Sequence, residues 1–268
     1  MNTAIPALRP LKAGILFGTL AMGLSLPFIA SAELTSESIL GPGLRWRPEY
    51  DGSASQRAEL VPVVRYFGQG WFARSTQGVL EGGARMELLS GLHAGAQLAY
   101  ESGRQAKHSD FLRNHNISDL NPGVSLGMQL ELDKKIGPMP ITLLARFRQQ
   151  SDSARGAQAD LRLSAGLYRG GRLSAGAYTQ ATWANAKSTD SFYGISTQQS
   201  ATTGLPAFNT RSGCLFSSIG LIGSVDLSQN WIVVGSLESR RLQGDAARSP
   251  LTQRRSNYYA SAGIAYRY

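Results

Sequence analysis

The sequence predicts an all-β fold. It is a single transmembrane antiparallel up-and-down β-barrel of twelve strands, following a cleaved signal peptide. Three observations predict it. Apolar residues recur at every second position along most of the chain, as on a strand with one apolar face. The segments that carry this period have about the ~10 residues that a tilted bilayer-crossing strand needs. Short and long connections alternate between them, as expected of a barrel with short periplasmic turns and longer external loops.

The front of the chain sets the compartment. Arg9 and Lys12 precede the apolar run "AGILFGTLAMGLSL", and "ASA" at Ala30–Ala32 offers small residues to a signal peptidase. Cleavage is therefore expected between Ala32 and Glu33. Residues 1–32 are the leader and 33–268 the barrel, and removing 32 of 268 leaves 236 residues. The apolar run is too short, and too soon followed by Pro27, for an anchor helix. The net charge of +9 falls to +7 without Arg9 and Lys12. An exported basic chain meets outer-membrane lipid and lipopolysaccharide rather than nucleic acid. A single cysteine, Cys214, excludes an internal disulfide.

The first two strands are read from "SILGPGLRWRPEY" and "RAELVPVVRYF". The next stretch, residues 70–89, is harder. As one strand it would make the total odd, whereas both ends of such a barrel face the periplasm and require an even number. It is therefore divided at "STQG" into strands near 70–75 and 79–89. Eight more follow, near 91–101, 121–133, 139–149, 158–168, 172–185, 211–226, 230–242 and 257–268. In "NPGVSLGMQLELD", Val124, Leu126, Met128, Leu130 and Leu132 alternate with Gly123, Ser125, Gly127, Gln129, Glu131 and Asp133. The first set is expected on lipid, so Met128→Arg should cost ~2–4 kcal/mol and Gln129→Arg little. In "QADLRLSAGLYR", Leu161, Leu163, Ala165 and Leu167 are placed outward, against Asp160, Arg162, Ser164 and Tyr168. The last strand, "NYYASAGIAYRY", keeps the alternation to the final residue, with Tyr266 and Tyr268 on its apolar face. An aromatic terminal residue is the usual form of the signal read by barrel-assembly machinery, and these two tyrosines are assigned that part.

The face expected to line the lumen is heavily charged. It includes Arg45, Arg47, Arg65, Arg85, Glu87, Glu131, Asp133, Arg146, Arg148, Asp160, Arg162, Glu238, Arg240 and Arg267. Such residues either pack the interior as ion pairs or line a narrow anion-preferring pathway. Catalytic patterns do not appear. There is no GxSxG elbow, HExxH or CxxC, and nothing calls for a cofactor or metal. His108 and His115 stand seven apart in a polar loop. Cys214 falls inside the barrel or near its rim, with nothing beside it to lower its pKa.

Three loop segments carry a resemblance. Tyr50, Asp51, Gly52 and Ser53 follow the first strand. Tyr193–Ser196 precedes Thr203, Gly204, Leu205 and Pro206, where Thr203 takes the place of a serine. Leu242, Gly244, Asp245, Ala246, Ala247, Ser249 and Pro250 form the third, with Gln243 inserted. In this order they resemble the family of MltA-interacting proteins, also called the MipA/OmpV family, across essentially all of the mature chain. The resemblance implies a bacterial outer-membrane barrel. From the family's namesake it implies a non-enzymatic scaffold that joins a lytic murein transglycosylase to a murein synthase. A narrow channel for small polar or anionic solutes is the alternative. All three motifs lie on the external side of the expected topology, where they either stand apart from the pore or fold into its mouth and close it.

Overall fold

The computed structural model describes residues 38–268. The expected leader and the Ala32–Glu33 cleavage site lie outside those residues. Twelve strands run β1 (Ile39–Pro48), β2 (Gln56–Phe67), β3 (Trp71–Thr76), β4 (Val79–Leu89), β5 (Leu92–Glu101), β6 (Gly123–Ile136), β7 (Met139–Gln150), β8 (Ala157–Gly170), β9 (Leu173–Ala184), β10 (Gly213–Asp226), β11 (Trp231–Leu242) and β12 (Ser256–Arg267). Each pairs antiparallel with its neighbours in sequence, and β1 pairs with β12 to close the ring. Three short α-helices lie in the long loops among the described residues: α1 (Asp110–Asn114), α2 (Ala186–Tyr193) and α3 (Thr197–Thr203). No helix among the described residues is long and apolar enough to cross a membrane.

Period-two patterning explains the wall. Leu126, Met128 and Leu130 point out and are at least half exposed, while Gln129 and Glu131 point in and are buried. Aromatic rings sit near both ends of the apolar outer surface. Trp46, Tyr100, Trp183 and Tyr258 lie toward the end with long loops, and Tyr66, Trp71, Trp231 and Tyr266 toward the end with short turns. Trp231 and Tyr266 meet edge to face at 5.4 Å. Amphipathic rings at two levels are the arrangement of a barrel seated in a bilayer.

The division of residues 70–89 follows a real turn. Gln77 and Gly78 both have positive φ, at 51° and 80°, the two-residue hairpin geometry that matches strand twist. The resulting β3 is short and meets β2 only from Arg65–Phe67. Beyond that point Ser75 Oγ, rather than a backbone group, takes the Val64 amide at 3.0 Å. Among the described residues, Gln56–Val63 has β1 as its one strand partner. Pro62, which has no N–H to give, sits on that edge.

One inward assignment, that of Tyr168, needs correction. The alternation through β8 breaks at a bulge between Gly166 and Tyr168. The extra residue carries Tyr168 to the outer surface, where it and Leu167 are both more than half exposed.

Candidate functional site: the lumen and the lid over its mouth

Glu81 on β4 is the hub of the lumen. It accepts Arg74 Nε at 2.6 Å, Arg146 Nη1 at 2.8 Å and Gln97 Nε2 at 3.1 Å. Arg146 also donates to Asp160 at 2.7 Å, and Asp160 accepts Arg148 at 3.1 Å. Arg148 reaches Glu101 at 3.2 Å. In the other direction Arg74 donates to Gln129 at 2.8 Å and to Glu131 at 3.1 Å, and Arg85 meets Glu131 at 3.4 Å. The chain of contacts crosses the interior and ties β3 through β8 together. Each charge in this chain meets an opposite one, which burial demands.

Glu238 and Arg240 belong to a second group. Glu238 accepts Tyr178 at 3.2 Å and Arg240 Nε at 3.0 Å, and Arg240 Nη1 donates to Asp51 at 2.7 Å. The Arg240 guanidinium stacks on Phe216 and Tyr259 at 4.2 and 4.4 Å. Burial works against the charge on Asp51, but Arg240 and the Tyr259 hydroxyl outweigh it and hold the carboxyl below its usual range. Arg162 instead lies over the Tyr178 ring at 3.8 Å. In a third group, Arg45 and Arg47 share Glu59 at 3.7 and 3.0 Å, and Arg57 joins them. Arg267, Tyr266 and Tyr268 are at the other end of the barrel, where Arg267 meets Asp226 at 2.5 Å.

Among the described residues the one cluster of metal-ligand type is His93, Glu131 and Asp133. Glu131 is already held by Arg74 and Arg85, whose positive charge opposes a cation there. His108 and His115 are not part of such a cluster; His115 Nδ1 sits 2.9 Å from the Phe111 carbonyl. Cys214 lies at the rim, its Sγ 3.7 Å from the Phe216 carbonyl.

The loops form a lid, and the three motif segments build it. Tyr50 donates to the Leu251 carbonyl at 2.9 Å. Asn257 clasps the first loop from both sides, accepting from Gly52 N at 3.1 Å and donating to the Ser53 carbonyl at 2.8 Å. Ser249 Oγ donates to the Tyr193 carbonyl at 2.6 Å. The second motif has local reasons as well. Ser196 caps α3 in a reciprocal capping box with Gln199, and Gly204 ends that helix in the left-handed region at φ 70°. Asn185 caps α2 by accepting Ser188 N at 2.9 Å. Two apolar cores hold the lid down. One joins Tyr193, Leu215, Phe216, Leu242 and Ala246, and the other Tyr50, Leu112, Ile117, Ile195 and Leu251.

Cavities remain inside. An upper one of about 150 Å³ lies beneath the lid, and a lower one of about 220 Å³ runs along β1, β2, β11 and β12. The Gln77–Gly78 turn borders both. Arg45 rests against this turn so closely that a Cβ on Gly78 would stand 1.8 Å from its Nη1.

The chain matches the description "MltA-interacting protein MipA" over residues 40–268. This protein belongs to the MipA family. It is an outer-membrane β-barrel of the bacterial cell. No curated protein matches the chain. Solved barrels resemble it at low identity. The NanC porin shares 10% identity, with 85% of this chain and 98% of that one covered and a TM-score of 0.46. LpxR from Salmonella typhimurium shares 8%, over 85% and 100%, at 0.47. The COG4313 outer membrane channel from Pseudomonas putida F1 shares 8%, over 88% and 97%, at 0.44.

Sequence reasoning did not single out Arg74, Glu81, Glu101 or Arg104, and placed Asp51 only in a motif. The signal for Glu81 was present. It has the same parity as Arg85 and Glu87, which were assigned inward, so extending their alternation to the start of β4 would have found it. Asp51 and Arg104 lie in loops, where the period of two says nothing.

Proposed function

We propose that this MipA-family barrel is a non-enzymatic, non-conducting envelope protein that works as a scaffold for murein-processing enzymes at its periplasmic face. The observation that carries this reading is the salt-bridge chain from Arg85 to Glu101, which crosses the lumen beneath a folded lid. A pore needs neither. The family's description supports the partner class, since it names an interaction with MltA, a murein transglycosylase. On the periplasmic side the turns are short, and Lys134, Lys135, Arg169 and Arg172 stand exposed around them. That rim suits an acidic partner surface.

Planar-bilayer recording and affinity capture test the proposal together. The expected result is no steady current and the recovery of a murein transglycosylase or synthase, with capture weakened by Lys135→Glu combined with Arg169→Glu. A steady anion-selective current that falls when Arg146 and Arg148 are replaced would overturn it in favour of a channel. Tyr266 and Tyr268 are assigned to insertion: deleting the last three residues should block membrane assembly while export continues. Heat-modifiable barrel recovered from membranes after that deletion would remove the assignment.

A further inference from the structure

We propose that the upper cavity is a binding site for a small organic anion, a carboxylate carried on a ring. This goes beyond the scaffold reading, which gives the external end no ligand. Six arginines border the cavity: Arg45, Arg47, Arg104, Arg146, Arg148 and Arg240. Five of them have a carboxylate within 4 Å. Arg104 has none among the described residues. It is 8% exposed, its Nη1 donates to the Phe192 carbonyl, and its Nε has no partner. The one carboxylate that acts on it, Asp119, does so from beyond 4 Å and accepts the Ala106 amide at 2.6 Å. A neighbouring guanidinium, Arg148, is 9% exposed and likewise leaves its Nε unpartnered.

A buried cation without a counter-charge in contact is costly, and a bound carboxylate offsets that cost by charge-assisted hydrogen bonds. The cavity has room for a group larger than one water. Its wall selects what the carboxylate is attached to. Phe192, Tyr193 and Phe216 border the same space, and aromatic side chains there suit a flat apolar body better than a bare inorganic ion. The site is anchored by the lid, since Arg104 exchanges backbone hydrogen bonds with Leu120 at 2.8 and 2.7 Å.

Calorimetric titration of the folded full-length protein in detergent micelles tests this, with benzoate as the probe and benzamide as its uncharged counterpart. Benzoate should saturate one site. Benzamide should bind at least tenfold more weakly, and Arg104→Gln should lose at least tenfold in benzoate affinity while Arg104→Lys retains more. A second measurement needs no variant: benzoate, but not benzamide, should raise the unfolding midpoint of the wild type. Absence of saturable binding to the wild type would overturn the proposal. So would equal affinity for benzamide, or an unchanged affinity in a folded Arg104→Gln protein. Tighter binding of inorganic phosphate than of benzoate would overturn the ring-carboxylate assignment.

Discussion

The two halves of the lumen solve the same packing problem differently. From β3 to β8 the inward residues are long and charged, and they meet across the interior through Arg74, Glu81, Arg146 and Asp160. From β9 round to β2 many are small, and the charges Arg45, Arg47, Glu238 and Arg240 gather toward the lid. Ser218, Ser224, Ser236, Ser261, Gly41, Gly43 and Gly263 line that wall, with Tyr178 lying across Gly220. The charged half is filled by side chains reaching for partners. The small half keeps the lower cavity, bordered by Val61, Val63, Ile222 and Val234. A barrel of one strand number can therefore be filled on one side and hollow on the other, depending on which residues occupy alternate positions.

The sharpest way to break the charged half is at its hub. Glu81→Leu leaves the Arg74 and Arg146 guanidiniums without the acid they share, and should cost about 3–5 kcal/mol. Urea unfolding from lipid vesicles would read it, and a near-normal midpoint would mean that the crossing contacts do not stabilise the barrel. The lipid face comes next. Met128→Arg should cost ~2–4 kcal/mol in the same assay, because its side chain meets hydrocarbon. The two halves can then be set against each other by one substitution. Gln129→Lys removes an acceptor from Arg74 and adds a like charge, for about 1–3 kcal/mol. Ser236→Lys projects into the lower cavity and should cost less than about 1 kcal/mol. Equal losses at the two positions would erase the distinction between the halves.

The smallest effect concerns the lid. Asp51 is held below the usual carboxyl range, so the stability it contributes is full above the unfolded value near ~3.9. It is lost as pH falls through the lower folded value. Proteolysis of the 185–212 loop should thus stay slow from neutral pH down to about 4, and Asp51→Asn should make it faster at neutral pH. An Asp51→Asn protein cut no faster than the wild type would detach this contact from lid closure.

Much of the fold was legible because a membrane wall imposes the same rule on every strand. Leu126, Met128 and Leu130 could be assigned to lipid from their spacing alone, and the odd stretch at residues 70–89 could be divided because both chain ends face one side. What stayed hidden does not follow that rule. The bulge at Leu167 depends on local backbone geometry, and it moved Tyr168 to the opposite face. Pairing across the lumen depends on which strands face one another, so Gln129 read as a spare polar residue when it is an acceptor for Arg74. The lid depends on contacts between loops far apart in sequence, such as Tyr50 with Leu251. The three motifs named those loops without showing that they meet.

Eleven of the twelve strand pairings join neighbours in the chain, and one joins its two ends, Ile39 opposite Arg267. Hairpins form between residues already close together, so their ordering need not wait for the rest of the polypeptide. The β1–β12 seam is different, because its two sides meet only by closing a loop as long as the barrel itself. It is expected to form last. Until then both end strands carry unpaired edges that hydrocarbon cannot satisfy. The lid shares this timing, since Asn257 at the start of β12 grips Gly52 and Ser53 just beyond β1. Completion of the ring and fastening of the external clasp are thus a single late event in the life of the chain.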